Sequence, residues 1–174
     1  YTFSHSKNVM RYSVQLLEQL KDEYTSVSVD DMVVAALFHD VGKCFIPDEI
    51  LKKTDELLPS EYRYIMRHPV DSARLLRKNF GERVAEIAQN HHERIDGSGY
   101  PLGLTSDEIS LEAKIVAVAD VFDAMISDRG YNVPKKPVDA ALELCSMTDK
   151  FDKRVTSALY ALAVSEEPDC IGGA

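Results

Sequence analysis

Residues 37–43 read LFHDVGK, and the six residues before the histidine, VVAALF at 33–38, are all apolar. Ser28 with Asp31 resembles a capping box, so a helix starts there and runs through Val33 to about Phe38. It then meets His39, Asp40 and, three residues later, Lys43. Burying an unpaired charge costs on the order of several kcal/mol. Either these groups cap the helix in solvent, or something buried compensates them. Lys43 alone fits a lysine facing the negative end of the helix dipole.

Working outward, most of the chain repeats at a period of 3.6, and no run alternates as a strand. His5, Val9, Leu16 and Leu20 share one stripe of a first helix, which turns His5 inward. Pro59 and Ser60 open EYRYIMR, which is expected to stop or kink at His68 because Pro69 follows. Pro69 then starts a further helix, VDSARLLRK, closed by Gly81. In ERVAEIAQNHHE, Val84, Ile87, Ala88 and His91 share a face. His92 lies about 100° round from His91 on a helix, so the two imidazoles are expected to point apart. Ser110 caps LEAKIVAVADVFDAMISD, with Leu111, Ile115, Val118, Phe122 and Met125 as its core stripe and Asp120 off it. Helices over 137–146 and 152–164 follow. The expectation is one all-α domain over 1–174, with about 165–174 as a flexible tail.

The 174 residues suffice for one domain with a full core, and the 45% hydrophobic and 28% charged content is that of a soluble globular chain. No apolar run is long enough for a membrane span. A net charge of −9 argues against a nucleic acid polymer as partner, since that affinity comes from Lys and Arg neutralising phosphates. It leaves phosphate esters open, because bound cations can dominate a local field. Cys44, Cys145 and Cys170 show no paired spacing, so reduced thiols in a cytoplasmic protein are expected.

The five histidines are His5, His39, His68, His91 and His92. A lone inward histidine is more often a satisfied core residue than a ligand. All five, however, fall on inward faces or at helix ends, with Asp40 and Asp120 as carboxylates. Imidazole with carboxylate is a normal donor set for iron, manganese, zinc or nickel. So many donors exceed what one catalytic metal with an open position needs, and they suit two metals sharing a bridging group. Asp40 as bridge and His39 as ligand are then compensated charges, and Lys43 points at an anion.

LFHDVGK resembles the HD superfamily of metal-dependent phosphohydrolases, and HHERIDGSGYP at 91–101 resembles the second signature of its HD-GYP branch. The likeness extends over HS at 5–6, IPDEIL at 46–51, HP at 68–69, AD at 119–120 and SDRGY at 127–131. The resemblance implies an HD-domain helical bundle and a phosphodiesterase that hydrolyses cyclic di-GMP to the linear dinucleotide and, in some members, on to GMP. It implies two or three divalent metals, often iron and sometimes manganese; a hydroxide held between two such ions is the nucleophile expected of a two-metal site. His39, Asp40, His68, His91, His92 and Asp120 match the metal ligands, with Asp40 bridging and His5 as a further ligand. Lys43 and Arg129 match positions that hold substrate phosphate, so Asp40 and Lys43 carry the catalytic expectation.

Three departures matter. Tyr1 stands where members with a third metal have glutamate, hence the expectation of two ions. Asn132 replaces an arginine, and Cys44 and Phe45 replace a small or apolar pair, Cys44 being read as a small buried hydrophobe. The loop Asp96, Gly97, Gly99, Tyr100, Pro101 has two readings: a turn that orders the site, or a surface for diguanylate cyclase domains, as the family implies. Rival functions are hydrolysis of another cyclic dinucleotide and a module that binds nucleotide or partner without hydrolysis. A homodimer through the first helix is a further expectation.

Overall fold

The computed structural model describes residues 2–21, 28–128 and 133–166. Arg129, Asn132, Cys170 and the tail beyond Glu166 lie outside the described residues. Among the described residues the regular structure is all helical, with one isolated antiparallel bridge between Asp96 and Thr105. The helices are α1 (Thr2–Leu20), α2 (Val29–Phe38), α3 (Asp48–Leu51), α4 (Pro59–Phe80), α5 (Glu82–Gln89), α6 (Leu111–Ile126), α7 (Pro137–Ser146) and α8 (Lys153–Ser165).

Several boundaries follow from local chemistry. The Ser28 hydroxyl accepts the Asp31 amide and starts α2, and Ser110 does the same for Ala113 at the start of α6. Asp152 caps α8 through the Arg154 amide. Pro59 sits in the first turn of α4, where its missing N–H is no loss. Gly81, with φ of 89°, ends α4 and leads directly into α5.

The break expected at Pro69 does not occur, and α4 runs through it. A proline at 69 cannot donate to the Ile65 carbonyl, the acceptor one turn back. The Nδ1–H of His68 takes that carbonyl instead at 2.6 Å. The freed acceptor is therefore satisfied, and the helix has no electrostatic reason to end.

The core is one cluster that includes Val9, Leu16, Met32, Ile87, Ile115, Val118, Phe122, Leu144 and Leu159. Tyr12 of α1 meets Phe122 of α6 edge-to-face at 5.0 Å. α1 lies against α2 and α6, α4 against α5, and α7 against α8. A 3₁₀ turn, Val41–Phe45, leaves α2 and crosses α4. A Cβ at Gly42 would collide with the backbone of His68 and Ser72, so only glycine allows this approach. The Gly42 amide donates to Ser72 Oγ at 2.8 Å. The close crossing brings Asp40 up to His68. With Gly42 facing α4, Cys44 is turned outward, so the reading of it as buried is corrected: the thiol is exposed.

Candidate metal centre

Five segments deliver polar groups to one end of the bundle: α1 with His5, the end of α2 with His39 and Asp40, mid-α4 with His68, the end of α5 with His91 and His92, and α6 with Asp120. His39, His68 and His91 are essentially inaccessible to solvent. Their Nδ1 atoms lie 2.7, 2.6 and 2.6 Å from the carbonyls of Ala36, Ile65 and Ala88. A carbonyl only accepts, so each Nδ1 carries a proton, and in the neutral form of these rings each Nε2 presents a lone pair. In α2 and α5 these carbonyls belong to the last turn, where the helix has no donor of its own. An apolar helix ending in histidine thus aims that histidine's Nε2 beyond its own terminus.

The lone pairs converge on Asp40. Its Oδ1 lies 3.1 Å from His68 Nε2 and 3.8 Å from His91 Nε2, while its Oδ2 lies 3.5 Å from His39 Nε2 and 3.9 Å from His5 Nε2. His68 Nε2 and His91 Nε2 are only 3.4 Å apart. With their protons held by backbone carbonyls, no proton is left to lie between these atoms. Asp40 Oδ1 and His39 Nε2 are buried without a hydrogen-bond partner among the described residues. Acceptors gathered like this repel one another unless a cation sits among them. The donor set fits divalent metal ions.

Donor atoms close enough to share an ion form three overlapping groups: Asp40, His68, His91 and His92; His5, His39 and Asp40; and His39, His91 and Asp120. Asp40 belongs to the first two, as a bridging ligand would. The expectation that His91 and His92 point apart is corrected. Helix α5 ends at Gln89, the 100° step no longer applies, and the two rings sit 4.0 Å apart in the same group.

The electrostatics keep the two carboxylates ionised and His91 and His92 neutral. Burial alone would raise the Asp40 and Asp120 carboxyls, but basic neighbours, His39 for Asp40 and His5 for Asp120, hold both well below the usual carboxylate range. Burial pushes His91 down, and His92 down to about 3, so both stay neutral. Burial lowers His5 too, yet its bonds to Asp120 and Asp123 outweigh that and push it up to about 9. The pull that holds a proton on His5 is the pull a cation would feel there.

Sequence reading missed two carboxylates. Asp123, fully buried, accepts from His5 Nδ1 at 2.7 Å and from Asn8 Nδ2 at 2.8 Å. Its only trace in the sequence is its place one turn after Asp120. Glu93, also buried, accepts the amides of Leu102 and Leu104 at 2.6 and 3.0 Å, across the Gly/Pro-rich loop. Lys43 is half-buried and paired with Asp40, whereas Arg129 lies outside the described residues.

Beside the cluster opens a cleft of 1010 Å³. His5, Asp40, His92 and Asp120 line it together with Lys43, Lys52 and Lys135, and Leu51, Val121 and Met125 supply apolar wall. Cys44 lines it as well.

A family model described as "HD domain" matches residues 3–155. A cyclic di-GMP phosphodiesterase of Pseudomonas aeruginosa is 38% identical over 160 residues, covering 91% of this chain and 38% of the relative. The 3'3'-cGAMP-specific phosphodiesterase 1 of Vibrio cholerae is 36% identical over 179 residues, covering 97% of this chain and 41% of the relative. A solved HDG"Y"P protein from Bdellovibrio bacteriovorus superposes with a TM-score of 0.73 at 25% identity, over 93% of this chain and 52% of that one. The chain thus spans less than half the length of those curated relatives. No helix of the described residues is long and apolar enough to cross a membrane. On its fold, its histidine–aspartate cluster and these likenesses, the chain belongs to the HD domain family.

Proposed function

We propose that this domain is a metal-dependent phosphodiesterase of cyclic dinucleotides, with cyclic di-GMP as first substrate and the linear dinucleotide, then GMP, as products. One observation carries the reading: neutral imidazoles aim Nε2 lone pairs at a shared Asp40 carboxylate beside a lysine-lined cleft.

Asp40, His68, His91 and His92 would hold one ion and His5, His39 and Asp40 a second, with Asp120 completing the set. Iron comes first and manganese second, because imidazole and carboxylate donors suit both and such sites bind Fe(II) more tightly than Mn(II). When bound, the ions supply Lewis acidity to the phosphoryl group and make a water acidic enough to lose its proton near neutral pH. Asp40 stays ionised and serves both groups. Lys43, half-buried at the cleft floor, gives its ammonium to a phosphate oxygen and helps carry the charge that develops there. Arg129, by its resemblance to family positions, adds a second phosphate contact. The apolar wall receives the bases and narrows the access of water.

A cyclic nucleotide messenger as substrate places the reaction in the cytoplasm. Leu102, exposed at the tip of the Gly/Pro-rich loop, is the apolar contact a diguanylate cyclase domain would use. Phe3, exposed on α1, would serve a homodimer. The Vibrio relative supports a second substrate reading, 3'3'-cGAMP.

The test is to load the purified protein anaerobically with Fe(II), and separately with Mn(II). It is then incubated with cyclic di-GMP or 3'3'-cGAMP and the products are chromatographed. Linear dinucleotide that disappears on Asp40→Ala supports the proposal, and the preferred substrate decides between the two messengers. Protein carrying about two ions per chain that turns over neither would reduce the domain to a binding module.

A further inference from the structure

The Gly/Pro-rich loop folds back onto its own root. The Tyr100 amide donates to the His92 carbonyl at 3.2 Å, and Glu93 takes the amides of Leu102 and Leu104 with its two carboxylate oxygens. The approach is so close that a Cβ at Gly99 would collide with the backbone of Glu93 and Arg94. Lys150 anchors the outer side through Asp96, and its carbonyl accepts the Ile95 amide at 3.2 Å. The loop is therefore tied at several points, two of them to the segment that carries His91 and His92.

What the closure delivers is one aromatic face. The Tyr100 ring stacks on His92 with centroids 4.7 Å apart and 29° between planes. His92 is the histidine of the metal groups that needs such a support. His39, His68 and His91 are each oriented by a backbone carbonyl at Nδ1, and His5 by Asp123. Among the described residues, no carbonyl or carboxylate does this for His92; its contacts are the rings of His68, His91 and Tyr100. An imidazole with no hydrogen bond to set its plane keeps its rotational freedom unless packing removes it.

We propose that Tyr100 is a positioning residue and Glu93 its anchor: the loop is a clamp that holds the His92 ring in the plane required of a metal donor. This rests on the metal reading above and deepens it, because it assigns the loop to the ion held by Asp40, His68, His91 and His92. The phenol oxygen has no part in it. The ring face does, so phenylalanine should substitute for tyrosine while aliphatic residues should not.

The experiment is calorimetric titration of Mn(II) into the purified metal-free protein and its variants, with thermal melting alongside. For Tyr100→Ala we expect one of two sites to weaken about tenfold, the size of effect typical when a ligand loses its supporting contact. The other site should keep its affinity, and Tyr100→Phe should bind as wild type. If Tyr100→Ala melts too low to be titrated, Tyr100→Leu, which keeps apolar bulk but no planar face, is read instead and should show the same selective loss. Two unweakened sites in the alanine or leucine variant, with two in the wild type, would overturn the clamp alone. Wild-type protein that takes up no Mn(II) would overturn the metal reading itself.

Discussion

His68 gives its Nδ1 proton to the Ile65 carbonyl at 2.6 Å, the carbonyl that Pro69 is unable to serve. Two neighbours in sequence thereby solve one problem. The proline frees an acceptor inside α4, and the histidine fills it. Filling it fixes the histidine's tautomer and turns Nε2 towards Asp40, 3.1 Å away.

This relationship predicts the outcome of Pro69→Ala. Alanine restores an amide that competes for Ile65, so the helix should keep or gain stability while His68 loses its exclusive acceptor. Mn(II) affinity is expected to fall several-fold, the lower end of the range for supporting contacts, with an unchanged or higher melting temperature. An unchanged affinity would show that packing alone orients His68.

Asp123 should matter to the site although it is no expected ligand. Asp123→Asn keeps shape and one acceptor but removes the charge facing His5 Nδ1. The site containing His5 should lose about 10–100-fold in metal affinity, while the site containing His92 holds. Metal content per chain after dialysis against a weak chelator reads this directly.

The cleft makes a prediction about Lys135. Its amide is pinned to the Met125 carbonyl at 2.9 Å, and its ammonium, paired with Glu143, retains donors for a further oxygen. A cyclic dinucleotide carries a second phosphate that Lys135, on the cleft lining, is expected to meet, whereas bis(p-nitrophenyl) phosphate has only one. Lys135→Ala should raise KM for the dinucleotide about tenfold, one charged hydrogen bond of about 1.5 kcal/mol, and leave turnover of the one-phosphate ester alone. An equal effect on both would place Lys135 at the reacting phosphate.

Stability should carry an acid-side signature from Asp152. Its bond to Arg154 holds the carboxyl down at about 2, against about 4 in an unfolded chain. A lowered folded pKa contributes stability that is complete above about pH 4 and is lost as pH falls towards 2. Asparagine can still cap α8, so Asp152→Asn isolates the charge. The variant should be less stable by about 1 kcal/mol at pH 7, with the gap closing between pH 4 and 2 in urea titrations. A gap that persists at pH 2 would assign the difference to capping instead.

Much of the fold was legible because its signals are local. Ser28 and Ser110 start helices by accepting an amide three residues on, and apolar residues three and four apart give one buried face wherever the helix lies. The same logic made His5 face inward. Donor identity was legible too: five histidines at inward or terminal positions imply a shared purpose before any distance is known. Pro69 misled because its cost depends on whether the freed carbonyl finds another donor, and that donor is the side chain of His68. His92 misled because the 100° step holds only while the helix continues, and α5 ends at Gln89.

What only the tertiary structure decided is who stands behind the donors. Asp123 reaches His5 across 118 residues of sequence, and Glu93 holds amides nine and eleven residues away across a loop. A carboxylate has no periodicity that announces a partner. Its role is set by the few ångströms within which a hydrogen bond has strength, and those appear only when α1, α6 and the loop are packed together. By itself the sequence determined an all-α chain with its metal-binding residue types in place; the packing decided which lone pairs meet and which groups hold them there.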